Sequence, residues 1–231
     1  FKKNSGCEFV ISPGNHDPYT PTSVYAMKKF PENVHIFKSE ALEKITLENK
    51  NADVYGWAFT SEGYTENPLA GKKAEETGRI KLLCCHCDTR SAVSRYCPVS
   101  EGDIVSFGAD YAAMGHVHKT AGLKNANGRY YGYCGCPEGR SFDETGECGA
   151  FFAEITQSGG AVSVKPSKIG FSRRRYDVEK IDVTGALSKE EIKAAIEARI
   201  SERKYGEETI LRVILTGDVA TDAEGVTFPD G

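Results

Sequence analysis

Two histidine motifs and one isolated histidine hold most of the chemistry this sequence could perform. Gly14-Asn15-His16-Asp17 offers a carboxamide oxygen, an imidazole and a carboxylate in consecutive positions, and Gly115-His116-Val117-His118 offers two imidazoles. Between them His86 stands in the run Cys84-Cys85-His86-Cys87-Asp88. Imidazole nitrogen mixed with carboxamide or carboxylate oxygen suits manganese, iron or zinc better than magnesium or calcium alone. An imidazole left uncoordinated beside such ions can pass a proton near neutral pH. G-N-H-D arises by chance in a chain of this length on the order of once in a thousand, and G-H-x-H roughly ten times more often. The first motif is therefore weighed well above a plain turn asparagine, and the ordered pair more strongly still.

The elements that must position these residues share one pattern, a short apolar run that stops at a polar turn. Phe9, Val10 and Ile11 lead into the first motif, Ile80, Leu82, Leu83, Cys84 and Cys85 into His86, and Tyr111, Ala112, Ala113 and Met114 into the last motif. Such runs suit strands covered on both faces in an α/β fold. Ligands of these folds gather at the carboxyl ends of strands, so all three histidine turns are expected at one end of one sheet.

Elsewhere a short helix is predicted over residues 23–30, and strands over 34–37, 42–47 and 54–59. Residues 64–78 read as a loop leading into a short helix. Strands at 130–133 and 151–155 flank a glycine-rich turn at 135–149, whose glycines serve tight turns. Tyr176, Val178, Ile181 and Val183 suggest a strand with a bulge where the phase slips. Ser188 with Glu191 forms a capping box for a helix whose face is Ile192, Ala195, Ile196, Arg199 and Ile200, ended by Gly206. A strand at 210–215 completes a β-α-β unit.

At 231 residues, with 39% hydrophobic and 27% charged residues and 24 glycines, the chain has the composition of an ordinary globular protein. Its apolar runs reach about five residues against the roughly 20 of a membrane helix, so no membrane association is expected. The start at Phe1 has no signal-peptide pattern and reads as a cut, as does the end at Gly231. A net charge of −4 gives no global field for nucleic acid, leaving Lys165, Lys168 and Arg173, Arg174 and Arg175 as a local basic patch that also suits a solvated face. The eight cysteines read as reduced thiols, which implies a cytoplasmic location. A zinc site drawn from Cys84, Cys85, His86, Cys87, Cys134 and Cys136 is the rival, disfavoured by the lack of paired C-x2-C spacing. His35 is expected to be structural or exposed. Arg140 and Asp143 either contact substrate or pair with each other.

The three motifs resemble the last three of the calcineurin-like metallophosphoesterase superfamily, whose order is D-x-H, G-D, G-N-H-D/E, H and G-H-x-H. The turn G-C-P-E-G-R-S-F-D-E-T-G-E-C-G at 135–149 and the β-α-β tail are similar to the SbcD/YhaO type of DNA-repair exonuclease. The resemblance implies a four-layer αββα sandwich at residues 1–168 and part of a small α+β cap domain at 169–231. It implies two divalent metal ions, manganese first, with iron or zinc as alternatives. Asn15, His86 and His116 would bind one ion and His118 the other, while His16 protonates the leaving oxygen and Asp17 orients His16. The activity implied is phosphodiester hydrolysis, as a DNA exonuclease. The partners implied are DNA ends, an SbcC-like SMC-type ATPase and a second copy of the chain.

D-x-H and G-D do not occur upstream of Asn15, where only residues 1–14 stand. The expectation is that they precede Phe1; otherwise the dinuclear centre is incomplete and a non-catalytic scaffold becomes the alternative. A third reading keeps the fold and changes the substrate to a nucleotide or phosphoprotein.

Overall fold

The computed structural model describes residues 6–119 and 122–219. The outermost ends of the two expected domains, residues 1–5 and 220–231, lie outside that description. The chain divides into two compact units, Phe1–Gly135 with Ala150–Ile169, and Cys136–Gly149 with Gly170–Gly231. The expected boundary at 168/169 assigns residues 136–149 to the first domain, whereas here they group with the second.

In the first unit a six-stranded mixed sheet runs in the order β3 (Glu43–Leu47), β4 (Ala52–Gly56), β5 (Ile80–His86), β6 (Tyr111–Gly115), β8 (Arg129–Tyr133), β7 (Lys124–Ala126). Its four inner strands β4, β5, β6 and β8 are parallel, and the edges β3 and β7 are antiparallel to their neighbours. A separate parallel pair joins β1 (Phe9–Ile11) to β2 (Val34–Ile36), and β9 (Gly149–Ser158) pairs with β10 (Ala161–Gly170).

The alternation of β4 and β5 explains why both faces of the sheet are covered. Tyr55, Leu83 and Cys85 join Trp57, Phe59, Phe107 and Met114 in one cluster. Val54, Leu82 and Cys84 turn the other way, toward Phe37, Leu47, Ala58 and Val10. Successive side chains of a strand point to opposite faces, so each strand feeds two cores.

One face is closed by α2 (Glu101–Phe107), a helix absent from the predicted elements. Ser100 accepts from the Asp103 backbone N–H while Asp103 accepts from that of Ser100, and Gly108 leaves the helix at φ 86°. Only Ile104 and Phe107 are buried, with the Phe107 ring edge-on to Tyr55 at 5.2 Å. Seven residues with two buried apolar positions give little periodicity to read.

Two predicted helices come out differently. Over 23–30 only α1 (Val24–Met27) forms; it buries no residue, and Lys28 is already extended. Over 64–78 no helix forms, because the backbone N–H groups that would bond within it go elsewhere: Ala74 N–H donates to Phe107 O at 2.8 Å and Glu75 N–H to the Tyr55 hydroxyl at 3.0 Å. No helix among the described residues is long and apolar enough to cross a membrane.

In the second unit β11 (Arg175–Asp182) and β12 (Thr209–Thr216) pair in parallel, joined through α3 (Lys189–Arg203). Ile181, Val183 and Ile192 are buried with Val213 and Leu215 packed around them. The Ser188 hydroxyl accepts from Glu191 N–H as predicted, and the helix ends at Lys204 in a left-handed conformation, two residues before Gly206. The predicted bulge is absent, since the register runs unbroken from Arg175↔Thr209 to Asp182↔Thr216. The phase never slips: Glu179 occupies an inward position, accepting from Tyr205 at 2.6 Å and pairing with Arg203 at 2.9 Å.

Residues 136–149 are built into this unit. Phe142 stands edge-on to Tyr176 at 5.2 Å with the Arg212 guanidinium 4.0 Å from its centroid, and Gly146 N–H donates to Tyr176 O.

Candidate metal centre

The carboxyl ends of β1, β5 and β6 bring the first motif, His86 and the last motif together. His86 is the final residue of β5 and pairs in register with Gly115, the final residue of β6, which sets His116 one step beyond. The turn after β1 is tied to the same place: Phe59 N–H donates to Pro13 O at 3.0 Å, and the Trp57 indole N–H donates to His86 O at 3.1 Å.

Asn15 is buried, 5% exposed, and its side-chain oxygen accepts from His86 Nε2 at 2.8 Å across 71 residues of sequence. The His86 ring lies 5.3 Å from that of His116, at 70° to it. Phe59 stands edge-on to His86 at 5.3 Å, and Tyr96 lies against His116 at 5.1 Å. His16 and His118 lie close enough for their charge to act on both rings.

The glycines of both motifs have a steric reason. A Cβ on Gly14 would lie 2.5 Å from two atoms of the His86 ring, and one on Gly115 would lie 3.1 Å from His86 Nδ1. His116 itself holds φ 111°, a conformation that side-chain-bearing residues rarely adopt and that collects at functional sites.

The electrostatics keep the central rings neutral. Burial lowers the His86 pKa to about 4, helped by the neighbouring histidines and opposed by Asp17. Burial also lowers that of His116, with Asp88 opposing and Arg90 adding to the shift. A neutral imidazole is the form that binds a metal ion. The Asn15 oxygen and His86 Nε2 meet with the His116 ring adjacent; in the tautomer that carries its proton on Nδ1, His86 frees Nε2, and these residues then offer the mixed nitrogen and oxygen donors of one divalent cation. Among the described residues, no three histidine, cysteine, aspartate or glutamate side chains are grouped to hold an ion by themselves.

That same finding leaves the cysteine zinc site without support. Cys85 and Cys87 point to one side with their sulfurs 3.9 Å apart, while Cys84 turns toward Val10 O on the other.

Asp17 accepts from Gly14 N–H at 3.0 Å and from the Tyr25 hydroxyl, so both of its oxygens have partners other than His16. Arg140 and Asp143 belong to the second unit, where Arg140 meets Glu144 (N–H to Oε2 2.8 Å, Nη2 to Oε1 3.8 Å) rather than Asp143. Asp143 N–H donates to Ser141. His35 pairs with Glu8 at 2.8 Å, a structural contact.

Asp88, which no sequence motif marks, stands beside His116. It is 7% exposed and its Oδ2 lies 3.8 Å from His116 Nε2. Burial raises its pKa, but hydrogen bonds from Arg90 and Ser94 outweigh that and keep the carboxylate ionised. It stands two residues beyond His86 in the sequence.

No protein-family model matches the chain. The chain is 28% identical over 229 residues to a protein of Bacillus subtilis (strain 168) named uncharacterized metallophosphoesterase YhaO, covering 93% of this chain and 52% of that protein. The chain thus spans about half the length of that relative. The similarity is to a metallophosphoesterase and extends over most of this chain, whose mixed α/β architecture is consistent with such a fold.

Proposed function

We propose that the chain forms the histidine-bearing part of a metal-dependent phosphodiesterase acting on DNA, an exonuclease of the SbcD type in DNA repair. The observation that carries this is the meeting of Asn15 and His86 at 2.8 Å with His116 beside them, drawn from three separate strand ends. Divalent cations bound there supply positive charge against the phosphate and lower the pKa of water. The chain's own residues do the rest. Asn15, His86 and His116 would hold one ion and His118 would bind the other. His16, exposed at the tip of its turn, donates a proton to the departing sugar oxygen.

The reading carries with it a four-layer αββα arrangement for the catalytic domain, with the β11-α3-β12 unit as part of a cap. It also carries manganese as the metal, a cytoplasmic location, and DNA ends, an SbcC-like ATPase and a second copy of the chain as partners. A nucleotide or phosphoprotein substrate is the alternative within the same fold.

The test uses the complete protein. His16→Ala is expected to abolish hydrolysis of DNA ends while leaving bound manganese, measured by elemental analysis, nearly unchanged. Loss of metal together with activity would refute the proton-donor role. Rates on DNA ends against those on mononucleotides and a phosphoprotein decide the substrate.

The absence of a three-ligand group among the described residues favours one second reading, a non-catalytic scaffold with an incomplete metal site. Failure of the complete protein to bind manganese, by titration calorimetry, would establish it.

A further inference from the structure

We infer that Arg90, held in place by Asp88, binds a phosphate oxygen of the substrate at this site; the inference rests on the phosphodiesterase reading above. Asp88 is fixed by its backbone, its N–H donating to Tyr96 O at 2.9 Å and Cys97 O at 3.1 Å, while its O accepts from Val99 N–H at 3.2 Å. Its carboxylate cannot wander and has three donors of its own. Oδ1 accepts from Arg90 N–H at 2.9 Å and Arg90 Nε at 3.1 Å, and Oδ2 accepts from the Ser94 hydroxyl at 2.9 Å while facing His116.

The Arg90 side chain is 63% exposed, although the carboxylate that holds it is only 9% exposed. Its Nε is used, which restrains the plane of the guanidinium, while the four N–H donors of the two terminal nitrogens take no part in the contact with Asp88. Among the described residues Asp88 is the carboxylate that Arg90 meets. Asp88 holds Arg90 on Oδ1 and has Oδ2 3.8 Å from His116 Nε2, so one carboxylate links the guanidinium to the histidine cluster.

A planar fork of donors matched to two oxygens, pre-set by one hydrogen bond, is the geometry by which arginine recognises phosphate. A purely structural pair with Asp88 would use the same Nε contact. It predicts nothing for substrate affinity, and that difference is measurable.

The experiment takes the complete protein loaded with manganese and compares parent, Arg90→Gln, Arg90→Lys and Arg79→Gln. Arg79 pairs with Glu48 and starts from the opposite end of β5, so its substitution serves as the control. On duplex DNA ends, Arg90→Gln is expected to raise KM about tenfold or more with kcat held within about threefold, Arg90→Lys to fall between, and the control to match the parent. In parallel, anisotropy with a labelled single-stranded DNA oligonucleotide in EDTA, where no metal contributes, is expected to show about tenfold weaker binding for Arg90→Gln. If Arg90→Gln melts well below the parent, Arg90→Lys alone decides, since it keeps the charge and loses the fork. An unchanged KM and unchanged oligonucleotide binding in an active protein overturns the role of Arg90 alone. A parent that hydrolyses no phosphodiester brings down the functional reading and this inference with it.

Discussion

At the residue scale the site is built from close approaches that leave no room for a side chain. The His86 ring lies directly on the backbone of Gly14, with Asn15, Phe59 and His116 around it. Gly14 is not in a left-handed conformation, so alanine there would strain no backbone angle. Its cost would fall wholly on the His86 ring. Gly14→Ala in the complete protein is therefore expected to weaken manganese binding by about tenfold or more, read by titration calorimetry. A variant that binds as tightly as the parent would mean that the ring has room to move.

Much of this was legible. G-N-H-D and G-H-V-H announce themselves by residue type, and His86 by its place at the end of an apolar run. The roles of Asp88 and Arg90 were not, because an aspartate two residues past a strand-end histidine has no motif. Its meaning depends on His116 arriving from the next strand.

At the element scale the parallel strands place the histidines and the helices brace them. β5 and β6 were readable because each is a mainly apolar run with a polar stop. Helix α2 was not, although Ser100, Asp103 and Gly108 mark its ends. Its box uses aspartate where glutamate or glutamine is the usual partner. This helix puts Phe107 against Tyr55, on the strand beside the one that ends in His86. Ser100→Ala is expected to cost about 1 kcal/mol through loss of the cap. The measurement is urea unfolding, with a lowered midpoint and an unchanged slope. No loss of stability would show that tertiary contacts alone fix the helix start. In the second unit the supposed bulge failed for a comparable reason. Glu179 is a charged residue at an inward position, and its partners Tyr205 and Arg203 lie beyond the strand in sequence.

At the scale of the whole molecule the chain visits the second unit twice. The boundary expected at 168/169 falls beside the later entry at Gly170, but the earlier visit at residues 136–149 was not visible in the sequence. The contacts that hold it come from far along the chain; Arg173 N–H, for example, reaches Glu138 across 35 residues. A chain cut after residue 169 would keep the glycine-rich segment and lose Tyr176 and Arg212, which pack on Phe142. Limited proteolysis of that truncated form is expected to cleave first within 136–149, at a site protected in the longer chain. Equal resistance in both forms would show that the segment is held from within its own turn.

The chain contains a single tryptophan, and Trp57 is wholly buried with its indole N–H bonded to the carbonyl of His86. Nature has in effect installed one fluorophore against the backbone of the central histidine. Its emission is free of competing indole signals in this chain, so loading or disturbance of the centre can be followed by light, without any label.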